Sequence, residues 1–153
     1  HVADALRPMA AEIGVEINLA PDSPSVIVSG DRDELIQVLE NLIENACKYG
    51  QSGGRVDVAI EPDTGIGARV SVRDYGPGIA RQHVPRLTER FYRVDVESSR
   101  TKKGTGLGLA IVKHVLLNHD GNLEIRSRIG DGSEFICHFP RERLAERHPA
   151  TAS

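Results

Sequence analysis

Apolar residues recur at intervals of three and four in three separate stretches of the chain, the spacing of one face of an α-helix. In the first stretch they occupy positions 2, 5, 6, 9, 10 and 13. The second begins at Asp31, a favoured helix-capping residue, with Glu34 in the capping-box position three residues later. The sequence therefore predicts amphipathic helices over Val2 to Ile13, from Asp31 to about Tyr49, and over Leu107 to Asn118.

Between these helices, apolar and polar residues alternate over short segments, as they do in strands that bury one face. Six strands are expected, at Glu16 to Leu19, Val26 to Val28, Arg55 to Ile60, Arg69 to Asp74, Asn122 to Arg128 and Ser133 to Phe139. Turns rich in Gly, Pro and Asp join the third strand to the fourth and the fifth to the sixth, which predicts two hairpins. The element order predicts an α+β fold, a two-layer α/β sandwich whose mixed, mainly antiparallel sheet carries three helices on one face.

The segment from Gly76 to Gly106 fits neither pattern. It offers short helices at most, and then a polar loop rich in Lys and Arg that is long for a connection in a compact domain. Such a loop predicts a flexible lid over a functional site. After Pro140 the charges alternate without an apolar stripe, so we expect one domain over residues 1–140 and a disordered tail over residues 141–153.

Composition narrows the class of protein. The 153 residues are 39% hydrophobic and 27% charged, without Trp, which is typical of one globular domain with an aliphatic core. A net charge of −3 provides no general basic field, so we expect no nucleic-acid partner. Cys47 and Cys137 lie among apolar neighbours without a C-x-x-C spacing, which indicates reduced core thiols and favours the cytoplasm. No apolar run approaches the ~18 residues of a membrane helix.

The second predicted helix carries the first chemically distinctive pattern. Asn41, Asn45 and Lys48 stand at i, i+4 and i+7, and so form a polar stripe beside the apolar one. Two amides and an ammonium at the margin of a core can hold a magnesium ion and phosphate oxygens, because magnesium takes hard oxygen ligands and often only one or two from protein. On this stretch alone, a polar helix edge without a ligand is the commoner explanation.

Asp74 ends a predicted strand and is followed by Gly76 and Gly78. A carboxylate at a strand end can accept a hydrogen bond from an amino group, such as the exocyclic amine of adenine, and glycines let a flat ring lie close to the backbone. A plain β-turn explains this stretch equally well.

Three alternating glycines, Gly104, Gly106 and Gly108, stand where the polar loop meets the third predicted helix. They match neither a Walker loop, whose lysine follows the last glycine, nor a dinucleotide-binding fingerprint, which follows a strand. Backbone N–H groups at a helix N-terminus can face a triphosphate, and Lys102 could reach it as a point charge. For Lys103 a solvated charge is the simpler interpretation.

Taken together and in this order, these stretches resemble the four boxes of the ATP-binding catalytic domain of sensor histidine kinases. The matching residues are Asn41-x3-Asn45 with Lys48-Tyr49, then Asp74-x-Gly76-x-Gly78, then Arg90-Phe91-Tyr92-Arg93, and then Gly104-x-Gly106-x-Gly108-Leu109. The resemblance covers about Val2 to Pro140 and implies the Bergerat fold, with ATP between the helices and the lid. The stretches from Phe91 to Asp95 and from Gly108 to His114 are similar to those of phosphate-regulon-type kinases.

The resemblance implies a role for each matched residue of the helix and strand boxes. Asn45 would ligate Mg2+, Asn41 would help to hold the magnesium and phosphate end, and Lys48 would touch phosphate. Tyr49 would lie against the nucleotide. Asp74 would bind the adenine amine, and the cofactor-binding residues after it would be Gly76, Gly78 and Ile79.

On the lid side, the resemblance implies that Phe91 seats the lid and that Lys102 reaches the terminal phosphate. Thr105 would lie near the metal. Backbone groups would face the phosphates at Gly104, Gly106, Leu107, Gly108 and Leu109. Asn41, Lys48 and Lys102 would thus be the catalytic residues, and ATP and Mg2+ the cofactors.

Histidine kinases phosphorylate a histidine on a separate helical-bundle module, in a motif like His-Glu-x-x-x-Pro, and no such motif occurs among the six histidines here. The chain is therefore expected to be the catalytic part of a longer kinase. The expected partners are the dimerisation and histidine-phosphotransfer domain of that parent and a cognate response regulator. We expect this fragment to be monomeric, and the parent to be a homodimer anchored in the inner membrane.

Three other functions share this nucleotide-binding pattern. Gyrase, mismatch-repair and heat-shock ATPases place Glu where Asn41 stands and lack the Arg-Phe-Tyr-Arg box, which anti-sigma-type serine kinases also usually lack. A degenerate nucleotide-binding module would have lost one or more boxes. Because all four boxes are intact here, the pattern favours the histidine kinase.

Overall fold

The computed structural model describes residues 2–19, 30–63, 67–89 and 108–140. These residues form three helices, α1 (Val2–Glu12), α2 (Arg32–Tyr49) and α3 (Gly108–Asn118), and five strands, β1 (Glu16–Leu19), β2 (Arg55–Asp63), β3 (Gly67–Asp74), β4 (Asn122–Arg128) and β5 (Gly132–Pro140). Short 3-10 helices occupy Gln51–Gly53 and Arg81–Arg86. The predicted strand at Val26 to Val28, the predicted lid beyond residue 89 and the predicted tail lie outside the described residues.

The five strands form one sheet in the order β1-β2-β3-β5-β4. Only the β1–β2 pair is parallel, and the other three pairs are antiparallel. The predicted mixed, mainly antiparallel sheet is therefore confirmed, together with both hairpins. Asp74, the last residue of β3, lies opposite Val56 of β2 and Ser133 of β5, so the second predicted motif begins at the end of the central strand of the sheet.

The core lies between the sheet and the three helices. Every helix contributes to it, with Ala10 from α1, Leu42 from α2 and Val112 from α3, and these pack with strand residues that include Val72 and Phe135. The predicted two-layer α/β sandwich is confirmed. No helix within the described ranges is long and apolar enough to cross a membrane.

Both cysteines are free and buried, as the sequence predicts. Burial raises the pKa of Cys137 to about 12. Burial, together with the nearby Glu44 and Asp74 carboxylates, raises the pKa of Cys47 to about 11. Because the thiolate is the reactive form of cysteine, both thiols are poor nucleophiles and serve as core residues.

The N-terminus of α2 is capped from two directions. The Glu34 N–H donates to Asp31 Oδ1 at 3.1 Å, as a capping box requires. The backbone N–H of Asp31, however, donates to His119 Nε2 at 3.0 Å. The capping-box prediction is therefore right for one of its two bonds and wrong for the other, because a histidine 88 residues away supplies the acceptor that Glu34 was expected to supply.

His119 joins the end of α3 to the start of α2. The residue is only 4% exposed, and Nδ1 lies 2.8 Å from the Val115 carbonyl oxygen, to which it donates. This arrangement requires the neutral ring with its proton on Nδ1, since Nε2 accepts from Asp31. His119 is therefore both a buried packing residue and a capping partner of α2.

Replacing His119 with Ala should lower the free energy of unfolding by about 2–4 kcal/mol. The change removes the acceptor of the Asp31 N–H and leaves a cavity between two helices. Denaturant unfolding measures the loss. The matched control is His114→Ala on α3, an exposed residue whose loss should cost less than about 0.5 kcal/mol. Equal costs for the two variants would contradict the capping role.

Candidate functional site

The polar stripe predicted on α2 lies at the margin of the core. Asn41, Asn45 and Lys48 are all partly buried, whereas their neighbours Leu42 and Ala46 have no exposed surface. The amides and the ammonium therefore border the packed interface without entering it. This is where groups that meet a bound ligand should stand, since they are held by the core and remain accessible from one side.

Asn41 has an unsatisfied polar group. Its Nδ2 is buried and has no hydrogen-bond partner among the described residues. A buried amide without a partner costs about 1–3 kcal/mol, and such groups are rare unless a ligand, an ion or water completes them. The missing partner must be an acceptor, because Nδ2 is a donor. A phosphate oxygen, or a water held by a magnesium ion, meets that requirement.

The first residue of α3 lies beside Asn41. A side chain added at Gly108 would place its Cβ 3.8 Å from Asn41 Oδ1. The N–H groups in the first turn of a helix have no partner within that helix, and they favour negative charge nearby. The Asn41 amide and the start of α3 thus lie together, at the place that the resemblance assigns to the phosphate end. Leu109, the next residue of α3, is partly buried and packs against the core.

Asp74 lies beside the C-terminal end of α2. The residue is 5% exposed, and its side chain lies on the helical side of the sheet, on the same side of β3 as Val72. A Cβ at Gly50, the residue after α2, would overlap the Asp74 side chain. From Gly50 to Asn41 is about 13 Å along the helix axis, which suits a ligand that is longer than it is wide.

Backbone hydrogen bonds hold the Asp74 carboxylate in place, and burial raises its pKa. Gly76 N–H donates to Oδ1 at 3.0 Å. Burial raises the pKa of Asp74 above its usual value, and hydrogen bonds from the backbone of Gly76 and Ser133 and the charge of Arg73 only partly oppose this rise. Two carboxylate oxygens offer about four acceptor positions, so capacity remains for a donor from a ligand.

Two hydrogen bonds fasten the loop after Asp74 to the β4–β5 hairpin. The Gly130 N–H donates to the Pro77 carbonyl at 2.8 Å, and the Ile79 N–H donates to Ser127 Oγ at 2.8 Å. Gly78 has a φ of +78°, and a Cβ there would overlap the Arg128 carbonyl. The sequence indicated that Gly78 allows a ring to approach. The structure shows that it is also required by its neighbouring hairpin.

Replacing Gly78 with Ala should therefore cost more than the same change at Gly130. Both residues have positive φ, at +78° and +90°, but nothing lies within 4 Å of a Cβ at Gly130. We expect Gly130→Ala to lower the free energy of unfolding by about 1–2 kcal/mol through backbone strain, and Gly78→Ala to lower it by at least about 3 kcal/mol. Chemical denaturation distinguishes them, and equal losses would contradict the close approach to Arg128.

Some site residues were not found from the sequence. Ser127 anchors Ile79 and also lies 2.8 Å from Ser133 Oγ, so two serines on neighbouring strands support the loop. Tyr75 makes contacts on the far face of the sheet. In the sequence, the only signal for Ser127 and Ser133 is that each is a polar residue at a core-facing strand position. That signal becomes informative only when the pairing of β4 with β5 is known.

Other predicted site residues lie outside the described part of the chain. These are the side chain of Tyr49 and the residues Phe91, Lys102, Gly104, Thr105, Gly106 and Leu107. Their roles remain predictions from the sequence. The described residues bring together Asn41 and Gly108 at one end of the site, and Asp74, Gly76 and Ile79 near the other.

A metal ion at this site would need protein ligands other than His, Cys, Asp and Glu. Among the residues that the structure describes, no three His, Cys, Asp or Glu side chains cluster to hold a metal ion. Asn41 and Asn45 offer neutral, hard oxygen atoms. That donor set fits Mg2+ bound mainly by phosphate oxygens and water, and it does not fit a structural zinc ion.

A groove of about 290 Å³ lies elsewhere, between α3, β4 and the second 3-10 helix, and is lined by residues that include Pro85, Lys113 and Leu117. None of the predicted site residues lines it, so it is separate from the site along α2.

Comparison with known proteins identifies the class. The family model described as "Histidine kinase-, DNA gyrase B-, and HSP90-like ATPase" matches residues 30–143. The chain belongs to this family of ATPases. Within it, the chain is the ATP-binding catalytic domain of the sensor histidine kinase type, as its relatives show.

One relative is the phosphate regulon sensor protein PhoR of Pseudomonas aeruginosa, which is 48% identical over 124 residues, covering 81% of this chain and 28% of PhoR. Another is the sensor-like histidine kinase SenX3 of Mycolicibacterium smegmatis, which is 40% identical and covers 87% of this chain and 35% of SenX3. The chain thus spans about a third or less of the length of these relatives. The predicted resemblance to phosphate-regulon-type kinases is confirmed.

Solved structures show the same fold. The mycobacterial sensor histidine kinase MprB superposes with a TM-score of 0.75 at 32% identity, covering 91% of this chain and 90% of that one. Full-length ShkA, solved in complex with AMPPNP, gives a TM-score of 0.79 at 34% identity, covering 94% of this chain and 28% of ShkA. The fold that the resemblance implied is therefore confirmed.

Proposed function

We propose that this domain binds ATP together with Mg2+ along α2 and transfers the γ-phosphate to a histidine on another domain of a longer kinase. The observation that carries the proposal is the pairing of an unsatisfied donor, Asn41 Nδ2, near the middle of α2 with a buried acceptor, Asp74, beside the C-terminal end of that helix. A nucleoside triphosphate presents the groups that complement them, phosphate oxygens for the Asn41 donor and an amino group on its base for the Asp74 acceptor. The complex of ShkA with AMPPNP, an ATP analogue, supports this choice of ligand.

Each residue then has a defined task. Asp74 accepts a hydrogen bond from the adenine amine, with Gly76, Gly78 and Ile79 forming the loop beside the base. Asn45 holds the Mg2+ ion, and Asn41 helps to hold it and the phosphate end. Magnesium, when bound, neutralises charge on the phosphate oxygens and so favours attack at the terminal phosphorus.

At the phosphate end, the first N–H groups of α3 contact oxygens, and Lys48, from its position near the C-terminal end of α2, reaches phosphate with its long side chain. For the residues outside the described part, we propose that Lys102 reaches the terminal phosphate, Thr105 lies near the metal, and Phe91 and Tyr49 enclose the nucleotide. A nitrogen of the incoming imidazole forms the new bond to phosphorus. The bond from that phosphorus to the bridging oxygen breaks, and ADP leaves.

Asn41 also explains how ATP is spared before the acceptor arrives. An amide is not a base near neutral pH, so it does not take a proton from water behind the terminal phosphate. Asn41→Glu should raise the rate of ATP hydrolysis about tenfold, the low end of what a positioned base contributes. Rates are compared at saturating ATP, because the added charge repels the phosphates.

The control for added charge is Gln37→Glu, at an exposed position one turn earlier on α2, which should leave hydrolysis unchanged. A saturable Asn41→Glu variant that turns over no faster than the wild type would show that Asn41 does not restrain water.

The proposed partners are the dimerisation and histidine-phosphotransfer domain of the same parent and a cognate response regulator. We propose that the parent acts as a homodimer at the inner membrane, with this domain on the cytoplasmic side. The lack of a His-Glu-x-x-x-Pro motif in this chain and the extra length of the relatives support a parent with further domains.

The direct test uses ATP labelled on its γ-phosphate. The chain alone should acquire no stable label, whereas adding the histidine-containing domain of its parent should produce label on that domain only. A version of that domain with its acceptor histidine changed to Ala is the control. Stable label on this chain alone would overturn the proposal. Rapid release of inorganic phosphate without any label on the added domain would favour an ATPase of the gyrase or heat-shock type.

A further inference from the structure

Tyr75 stands between the two residues that define the base end of the site. It follows Asp74 and precedes Gly76, whose N–H donates to the Asp74 carboxylate at 3.0 Å. Successive side chains of a strand point to opposite faces, so the ring of Tyr75 lies on the face of the sheet away from the helices. Its contacts with Asp57 and Arg73 confirm this placement.

Three charged residues of β2 and β3 hold the Tyr75 side chain. The Tyr75 hydroxyl donates to Asp57 Oδ2 and accepts from Arg55 Nη2 at 3.0 Å. Arg55 also pairs with Asp57 at 3.1 Å. The guanidinium carbons of Arg55 and Arg73 lie 4.5 and 5.0 Å from the ring centroid, within the ~6 Å range of a cation–π contact. We name Arg55, Asp57, Arg73 and Tyr75 the tyrosine clamp.

The main chain of Tyr75 is confined as well. A Cβ at Gly53, in the short 3-10 helix after α2, would overlap the Tyr75 carbonyl group. Gly50, three residues earlier, lies against the Asp74 side chain. The residues that follow α2 therefore pack on the Asp74 side chain and on the backbone of Tyr75, while the clamp holds the Tyr75 side chain.

We propose that the tyrosine clamp sets nucleotide specificity by fixing the turn from Asp74 to Gly76, so that the carboxylate meets the base amino group without reorienting. This inference rests on the proposed function of the site. Tyr75 touches no nucleotide and acts as a positioning residue. Holding the acceptor in its binding orientation beforehand avoids the loss of conformational entropy on binding, and it rejects a base that presents an acceptor at that position.

The test compares Tyr75→Ala and Tyr75→Phe with the wild type by calorimetry, using Mg-ATP, Mg-GTP and magnesium tripolyphosphate as the three ligands. Tyr75→Ala should weaken ATP binding about tenfold, and Tyr75→Phe, which keeps the ring and loses the hydroxyl, about threefold. Binding of tripolyphosphate, which has no base, should stay within about twofold of the wild type, the usual scatter for a site away from the change. The preference for ATP over GTP should fall.

The matched control is Glu61→Gln. It breaks the Arg69–Glu61 ion pair at 2.6 Å, which joins the same two strands on the same face about 13 Å further along. This variant should leave all three affinities unchanged. A second readout needs no nucleotide. Hydrogen exchange of the Gly76 amide should be faster in Tyr75→Ala, with the amides of β5 still protected.

Each outcome decides the matter. If the wild type binds ATP and both Tyr75 variants bind it equally well, with Gly76 exchange unchanged, the clamp has no positioning role. If the Tyr75 variants lose ATP and tripolyphosphate equally, the residue is only structural, and the inference is wrong. A wild-type chain that binds neither ATP nor tripolyphosphate would overturn the proposed function of the site, and this inference with it.

Discussion

Asp74→Asn should weaken ATP binding by about a hundredfold and abolish the preference for ATP over GTP. The substitution keeps the size of the side chain but replaces a carboxylate oxygen with an NH2 group, which can present a donor to the donor of adenine. The loss of a charge-assisted hydrogen bond together with an unpaired buried donor accounts for a change of this size. Calorimetric titration with ATP and GTP measures it.

The same substitution should make the nucleotide-free domain more stable at neutral pH, by about 1 kcal/mol. Burial raises the pKa of Asp74, so the folded state binds the proton more tightly than the unfolded state does. The ionised carboxylate therefore costs stability at neutral pH. That cost disappears as the pH falls through the folded pKa towards the unfolded value. The advantage of the Asn variant in melting temperature should shrink over that same window.

These two measurements separate a functional residue from a structural one. Replacing a residue that merely supports the fold would lower both the stability of the domain and its affinity for ATP. Replacing Asp74 with Asn should lower the affinity and raise the stability. If Asp74→Asn binds ATP as well as the wild type and still rejects GTP, Asp74 does not read adenine.

Asn45→Ala should weaken binding of Mg-ATP by about a hundredfold and binding of metal-free ATP far less. A magnesium ion takes few protein ligands, so removal of one amide oxygen leaves the ion held almost entirely by phosphates and water. Titrations in magnesium and in a chelator provide the two affinities. Glu40→Ala, an exposed change on the same helix, is the control and should alter neither affinity. Equal losses with and without magnesium would remove Asn45 from the metal site.

Much of the fold could be predicted from the sequence because its elements have strong local patterns. All three predicted helices and five of the six predicted strands are found, with ends that differ by at most a few residues. β2 extends to Asp63, beyond the predicted Ile60, because residues 61–63 pair with residues 67–69 of β3. The sixth predicted strand lies outside the described residues. Hydrophobic patterns of period 2 or 3.6 show which side of a strand or helix is buried. They can therefore be recognised without knowing which elements pack against that side.

The predictions that failed or were missed depend on contacts between distant parts of the chain. Glu34 was expected to complete the α2 cap, but His119 occupies that position because α3 brings it there. Gly78 is needed partly because a side chain there would overlap the carbonyl of Arg128, 50 residues later. Tyr75 carries no local signal, since its partners Asp57 and Arg55 become neighbours only once β2 and β3 pair in their register.

Candidate site residues could be proposed from the sequence where the residue type itself suggests a ligand, as with the two Asn amides and Asp74. Their separation along α2, the unsatisfied Asn41 amide and the burial of Asp74 required the structure. Together these features support the proposal that the stretches around Asn41, Asp74 and Gly108 form one elongated site, with a donor at one end and an acceptor at the other.

The central claim is that this site binds ATP with magnesium, and calorimetric titration of the wild-type chain tests it most directly. The account predicts one ATP bound per chain, with affinity that falls when magnesium is chelated and with GTP bound much more weakly. The melting temperature should rise with ATP concentration, since a ligand that binds only the folded state stabilises it. No heat of binding and no shift in melting temperature with Mg-ATP would contradict the account.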